Sequence, residues 1–180
     1  MKKTLLAFTL SSLFIAGAVQ AEDHSETIDI SGSVSGANDD CFISFTTSNT
    51  VTNNSADTII ANLHSKISGL PTQGQNATDP NWIDYRVNGC DSPVAVMLHG
   101  TPDDADGTTL ANSDNSEASA KGVGIGLFDE KFAPLNINSS HLALNSKGYG
   151  QFNLQLVKLN GQTPVEGIVH GSLTIDIVQL

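Results

Sequence analysis

Five histidines, two cysteines and a short run of aspartates are the residues here whose types could do chemistry. His24, His64, His99, His141 and His170 show no His-x-His and no His-x₃-His spacing. A metal site such as that of a copper/zinc superoxide dismutase needs clustered histidines, so each is read as a surface or edge residue. Asp103, Asp104, Asp106 and Gly107 hint at a calcium loop. In that register Pro102 takes the first ligand position and Ser113 the twelfth, where the motif needs Glu, so a solvated loop is expected. A Gly-x-Gly-x-x-Gly reading at Gly122–Gly126 fails because position 127 is Leu. Gly32–Gly36 has Val34 where a nucleophile elbow needs Ser. Nothing positions a dispersed Ser/His/Asp triad. The expectation is no enzyme, with no catalytic residue, no metal and no cofactor.

The chain has 180 residues, enough for one domain with a real core. Lys2 and Lys3, an apolar run from Leu5 to about Ala18 and the small-residue site Val19-Gln20-Ala21 read as a secretory signal peptide over 1–21, with a mature chain from Glu22. Removing two lysines leaves 6 basic against 19 acidic residues, a formal charge of −13. So acidic a chain is not expected to bind nucleic acid or anionic lipid. No second apolar segment approaches membrane length, and no membrane insertion is expected. Export places Cys41 and Cys90 in an oxidising compartment. An even count suggests one disulfide, with two free thiols or a partial metal site as the alternatives. A disulfide would close a loop of about 50 residues, worth about 3–4 kcal/mol in the chain-entropy model.

The elements that must position these residues are short strands. Ile28, Ile30, Gly32 and Val34 alternate with Asp29, Ser31 and Ser33, giving one apolar face with a gap at the glycine. Cys41–Phe45 is a short strand. Residues 46–57 read as a Ser/Thr/Asn-rich loop. Thr58–Leu63 is a further strand, and 65–81 a long connection. Trp82, Asp84 and Arg86 alternate against Ile83, Tyr85 and Val87. Pro93–Leu98 is an apolar strand and 100–121 a loop. Val123, Ile125 and Leu127 share a face opposite glycines. Asp129–Lys131 is a turn, and Leu135–Ile137 and His141–Leu144 are short strands. Tyr149–Leu159 carries Phe152, Leu154, Leu156 and Lys158 on one face. Asn160-Gly161 is a hairpin signal before the last strand. About eight or nine strands at this spacing, with no convincing helix past the signal, predict an antiparallel sandwich or barrel.

The last stretch, Gly167–Leu180, sets the central question. Leu173, Ile175 and Ile177 fall on one face, Thr174 and Asp176 on the other. No further strand follows to pair with its outer edge. An exposed apolar edge is a template for another chain.

These residues together resemble a chaperone–usher pilin of the type 1 fimbrial family of Gram-negative bacteria. The resemblance covers the whole mature chain. Ile28-x-Ile30-x-Gly32-x-Val34 looks like the family's donor strand, glycine included. Cys41 and Cys90 look like its disulfide. Asp106–Asn112 followed by Gly122–Asp129 is similar to its mid-domain segment, and Tyr149–Gly167 to its last hairpin. Gly167 is the fourteenth residue from the end, where the family has a glycine. Gln179 departs from the aromatic usual at the penultimate position, the segment from Gly32 to Cys41 is longer than usual, and Asn88-Gly89 replaces a more compact approach to Cys90.

The resemblance implies an all-β, incomplete immunoglobulin-like sandwich lacking its last strand and completed by a donor strand from another chain. Residues 22–36 would be the donor extension and 37–180 the pilin domain. A periplasmic chaperone would lend a strand to the groove. At the outer-membrane usher the next subunit's Ile28, Ile30 and Val34 would replace it, with Gly32 where the groove is shallow. Gly167, Leu173, Ile175, Ile177 and Gln179 would form the acceptor strand. The protein would travel through the periplasm to the cell-surface fimbrium, with neighbouring pilin subunits, the chaperone and the usher as partners. The alternative within this resemblance is a single-domain adhesive pilin holding a host glycan or protein on loops 46–57, 65–81 or 100–121. An ordinary first strand within its own sheet is the other reading of residues 28–34.

Overall fold

The structure, a computed structural model, describes residues 26–34, 41–46, 51–55, 58–63, 65–90, 93–103 and 107–180. The expected signal peptide, the ends of the expected donor extension, and Asp104 and Asp106 of the calcium-like loop lie outside the described residues.

Eleven strands are described. They are β1 (Glu26–Val34), β2 (Phe42–Thr46), β3 (Val51–Ser55), β4 (Thr58–Leu63), β5 (Asn81–Asn88) and β6 (Val94–Gly100), then β7 (Thr109–Leu110), β8 (Val123–Phe128), β9 (His141–Ala143), β10 (Tyr149–Lys158) and β11 (His170–Gln179). One 3-10 turn, Ile67–Gly69, is the only helical element among the described residues. The strands form two sheets, ordered β3-β4-β1-β11-β6-β9 and β2-β5-β10-β8-β7. Every described neighbour pair is antiparallel except β1–β11.

Period-2 alternation builds the core. β5 buries Ile83, Tyr85 and Val87 and exposes Trp82, Asp84 and Arg86. Phe152, Leu154 and Leu156 of β10 meet Leu173, Ile175 and Ile177 of β11 in one core between the sheets. Tyr85 and Phe152 pack with ring centroids 6.0 Å apart.

β8 and β10 are buried on both faces. The long connection before β5 covers their outer side. The Gln155 side-chain oxygen accepts the Thr78 and Asp79 N–H groups at 2.8 and 3.2 Å, and its amide donates to the Thr78 hydroxyl at 3.0 Å. The Asn153 amide donates to the Asp129 carbonyl at 2.7 Å. Ala77, Phe128 and Val157 form a small second core beneath this cover. The Phe128 ring lies over Gly126, where an added Cβ would come within 2.7 Å of it. Burial of Asn153 and Gln155 is tolerable because each is hydrogen-bonded.

Four expectations need correction. Residues 109–110, inside the expected 100–121 loop, form a strand, β7, pairing with β8. Residues 51–55 form a strand, β3, not a loop, pairing with β4. Leu135–Ile137 is not a strand. Its backbone makes isolated bonds instead, Leu135 N–H to Leu127 and Ile137 N–H to Gly107. Asn160-Gly161 makes a tight turn, with Gly161 at φ +73, but not a hairpin. β10 lies in one sheet and β11 in the other, so the chain crosses the sandwich there.

Candidate assembly groove

The site is built on β11. Leu173, Ile175 and Ile177 are 0–1% exposed. β6 pairs with one edge of β11, antiparallel, from Leu173↔Gly100 to Gln179↔Val94. The other edge is occupied by the chain's own β1, parallel, with Ile28↔Gly171, Ile30↔Leu173, Gly32↔Ile175 and Val34↔Ile177. β4 closes the far side of β1, antiparallel, from Glu26↔Leu63 to Ser31↔Thr58. In this single chain the edge expected to take a strand from another copy carries the chain's own β1. The same chain fills it. Unpaired N–H and C=O groups along β11 need partners, and the tethered alternating segment supplies them.

The tether dictates the direction. β11 ends beside Val94, and the Leu180 N–H donates to the Pro93 carbonyl at 3.0 Å. Cys90, three residues before Pro93, is disulfide-bonded to Cys41. Cys41 is thus fixed near the C-terminal end of β11. Only residues 35–40 join it to Val34, a reach of at most about 25 Å fully extended. β1 must therefore finish at that same end, which makes it parallel to β11.

The other end of β11 is held by a side-chain amide. Asn112 Oδ1 accepts the His170 N–H at 2.9 Å and the Asp114 N–H at 3.0 Å. Its Nδ2 faces the Ser119 hydroxyl and the Ala120 and Ile168 carbonyls at 3.0–3.2 Å. Gly167 lies three residues before β11 rather than in it. It is pressed on the backbone of residues 118–120, and an added Cβ would stand 2.4 Å from the Ala118 oxygen and the Ala120 nitrogen. Gln179, the last residue of β11, is exposed.

Sequence reasoning missed Asn112 and Asn138. Asn138, at φ +66, bonds Gly100 in both directions at 3.0 and 3.1 Å and caps the end of β6. In a chain rich in Asn, nothing marks either one. On the outer face of the same sheet, His99 Nε2 lies 3.3 Å from Asp176 Oδ2, bridging β6 and β11. Hydrogen bonding from Ser116, assisted by the charges of His170 and Lys121, holds the Asp114 carboxyl below its usual range. Burial pushes Asp103 up. Among the described residues no group of three or more His, Cys, Asp or Glu could hold a metal, and no described helix is long and apolar enough to cross a membrane.

The described residues thus form a two-sheet all-β sandwich with a disulfide near the start of its body and β1 laid along β11. The chain belongs to the fimbrial protein family, whose family model matches residues 66–178. Among solved structures it is similar to the P pilus rod subunit PapA, at 12% identity and a TM-score of 0.45, over 78% of this chain and 92% of that one. No curated protein matches the sequence. Membership implies a component of a cell-surface pilus and a structural rather than an enzymatic class.

Proposed function

We propose that the chain is a structural subunit of a chaperone–usher fimbria, polymerising head-to-tail by donor-strand exchange and so supporting adhesion. One observation carries the reading: a strand joined to the body by residues 35–40 lies between β4 and β11, in register with the buried row of β11. Such a strand is exchangeable between copies, because the groove it fills needs only the same alternation from any chain. The family match begins at residue 66 and leaves β1 out, so the case for β1 rests on that register. Strand addition draws affinity from backbone bonds and specificity from alternate side chains. Ile28, Ile30 and Val34 would each contribute roughly 1.5–3 kcal/mol on burial. Head-to-tail contacts of this kind do not close, so they build a filament. The partners are neighbouring subunits, a periplasmic chaperone and the outer-membrane usher, on a route through the periplasm to the cell surface.

The test is deletion of residues 22–34. The shortened subunit should still bind its chaperone but should not add onto a preceding subunit. Polymerisation of the deleted form would sink the assignment.

A second reading, receptor binding, is favoured by one feature. Phe42, Trp82 and Tyr149 are exposed on outward positions of β2, β5 and β10, with the Arg86 guanidinium 5.0 Å from the Tyr149 ring centroid. Exposed aromatic patches mark interaction sites. This face is on strands rather than on the three loops. A glycan array probed with the donor-complemented domain decides it, and silence would favour the structural role.

A further inference from the structure

We infer that the outer face of β2, β5 and β10 is a shelf for an uncharged oligosaccharide, a sugar ring resting on Trp82 and its hydroxyls shared between Asp84 and Arg86. The inference rests on the receptor-binding reading and names the ligand chemistry of that face.

Three observations carry it. First, aromatic surface is gathered here. Phe42, Trp82, Phe132 and Tyr149 are the exposed aromatic side chains among the described residues. Phe42 is the register partner of Asn88 and Tyr149 that of Arg86, on the outward row of β5 that begins with Trp82. From Trp82 to Arg86 this row runs about 14 Å, and the three strands span about 10 Å across. Residues 70–80 cover the later half of β10, bonding Gln155 and Lys158. They leave Tyr149 exposed, so the platform ends at a step.

Second, one aromatic is held at a cost. Phe132 sits at φ +66, a left-handed conformation left mostly to Gly, Asn and Asp. Asp129 pins the turn, its Oδ1 accepting the Lys131 and Ala133 N–H groups at 2.8 and 2.9 Å. The Asp129 carbonyl accepts from the Asn153 amide, and Asn153 is the register partner of Trp82. The Phe132 carbonyl accepts the Ala77 N–H at 2.9 Å, on the wall of the step. Strain of this kind collects at binding sites.

Third, the polar groups beside Trp82 match a hydroxyl. Asp84 stands between Trp82 and Arg86 and opposite Gln151. No described residue donates to its carboxylate, and none accepts from the Arg86 guanidinium. Stacking 5.0 Å from the Tyr149 ring centroid holds that guanidinium in place. A carboxylate only accepts, a guanidinium only donates, and a hydroxyl does both. The two charges cancel, so a neutral polyol complements the pair. The chain's 19 acidic against 8 basic residues repel an anionic glycan and a second copy alike.

The experiment uses the oxidised mature chain, residues 22–180. The probes are an array of neutral and of sialylated or sulfated oligosaccharides, and a mucin-type glycoprotein layer with and without periodate. Neutral oligosaccharides should bind, and titrating one in solution should shift the indole emission to the blue. Trp82→Ala should weaken binding about 10-fold or more. Asp84→Asn should weaken it about fivefold, because the charge that strengthens the bond is gone. Phe132→Gly should weaken it about fivefold while raising the unfolding midpoint, since Gly adopts this φ freely. All three side chains are exposed, so the variants keep the fold.

Binding of acidic glycans alone, glycoprotein binding that survives periodate, or unchanged affinity in the variants would overturn the inference while leaving receptor binding in place. If neither the array nor the glycoprotein is bound, both fall.

Discussion

Asn112 fixes the first residue of the last strand, its Oδ1 accepting the His170 N–H at 2.9 Å while its amide reaches the carbonyls of Ala120 and Ile168. One side chain thereby ties the loop before β8 to the entry of β11. Asn112→Ala would leave several backbone groups without partners. It should cost about 2–4 kcal/mol in urea unfolding, through a lower midpoint at unchanged slope. Asn112→Asp should do no better, because a carboxylate oxygen would then face two carbonyls.

Gly167 is required by space rather than by backbone angle. Its missing Cβ would lie 2.4 Å from two backbone atoms, which cannot yield as a side-chain tip can. Gly167→Ala should lower stability by at least about 2 kcal/mol. Gly69→Ala is the control. Among the described residues nothing lies within 4 Å of its added Cβ, so thermal melting should move by no more than about 0.5 kcal/mol equivalent.

The Tyr85 hydroxyl is buried with no hydrogen-bond partner among the described residues. Burial, with the Glu130 charge adding to it, pushes its ionisation up. An unpaired buried hydroxyl is a cost, so Tyr85→Phe should be neutral or stabilising by about 1 kcal/mol. A clear loss of stability on denaturant unfolding would contradict this.

Asp114 gives a defined acid limb. Its carboxyl is held below the usual value, mainly by the Ser116 N–H at 2.7 Å. A depressed folded value contributes stability above the ordinary carboxylate range, near pH 4, and that contribution is lost as pH falls through the folded value. Asp114→Asn keeps the acceptor oxygen but not the charge, and should flatten the stability profile below pH 4. Asp103, raised by burial, has the opposite sign: its contribution is present at low pH and lost as pH rises. Asp103→Asn should remove that second slope.

The Cys41–Cys90 bond spans 49 positions. Replacing both cysteines by serine should cost about 3–4 kcal/mol. It also frees the linker that sets the direction of β1, so calorimetry on the serine variant should show the larger loss in the full chain than in one lacking residues 22–34.

Much of this fold can be read from periodicity. Ile83/Tyr85/Val87 and Leu173/Ile175/Ile177 declare their inner faces by alternation, and both rows are buried. β3 escapes such a reading because Val51-Thr-Asn-Asn-Ser55 has no apolar alternation and joins its sheet through the backbone. Asn153 and Gln155 look solvent-facing because nothing local shows that residues 70–80 fold over them. Asn160-Gly161 specifies a turn, but which sheet receives the next strand is a tertiary choice. The groove itself was half legible. Alternation in Ile28–Val34 and in β11 marks two complementary strands, yet period 2 is silent on whether one chain or two supplies them and on their relative direction.

Trp82 is the single tryptophan of the chain, and it is two-thirds exposed on the outer face of the β2-β5-β10-β8-β7 sheet. The groove lies in the other sheet. The indole emission of the monomer should therefore be that of a solvated ring and stay so whether residues 26–34 enter or leave. A blue shift on mixing with a partner would report cover over the aromatic face alone. The molecule thus carries a native optical label for its second surface, blind to its first.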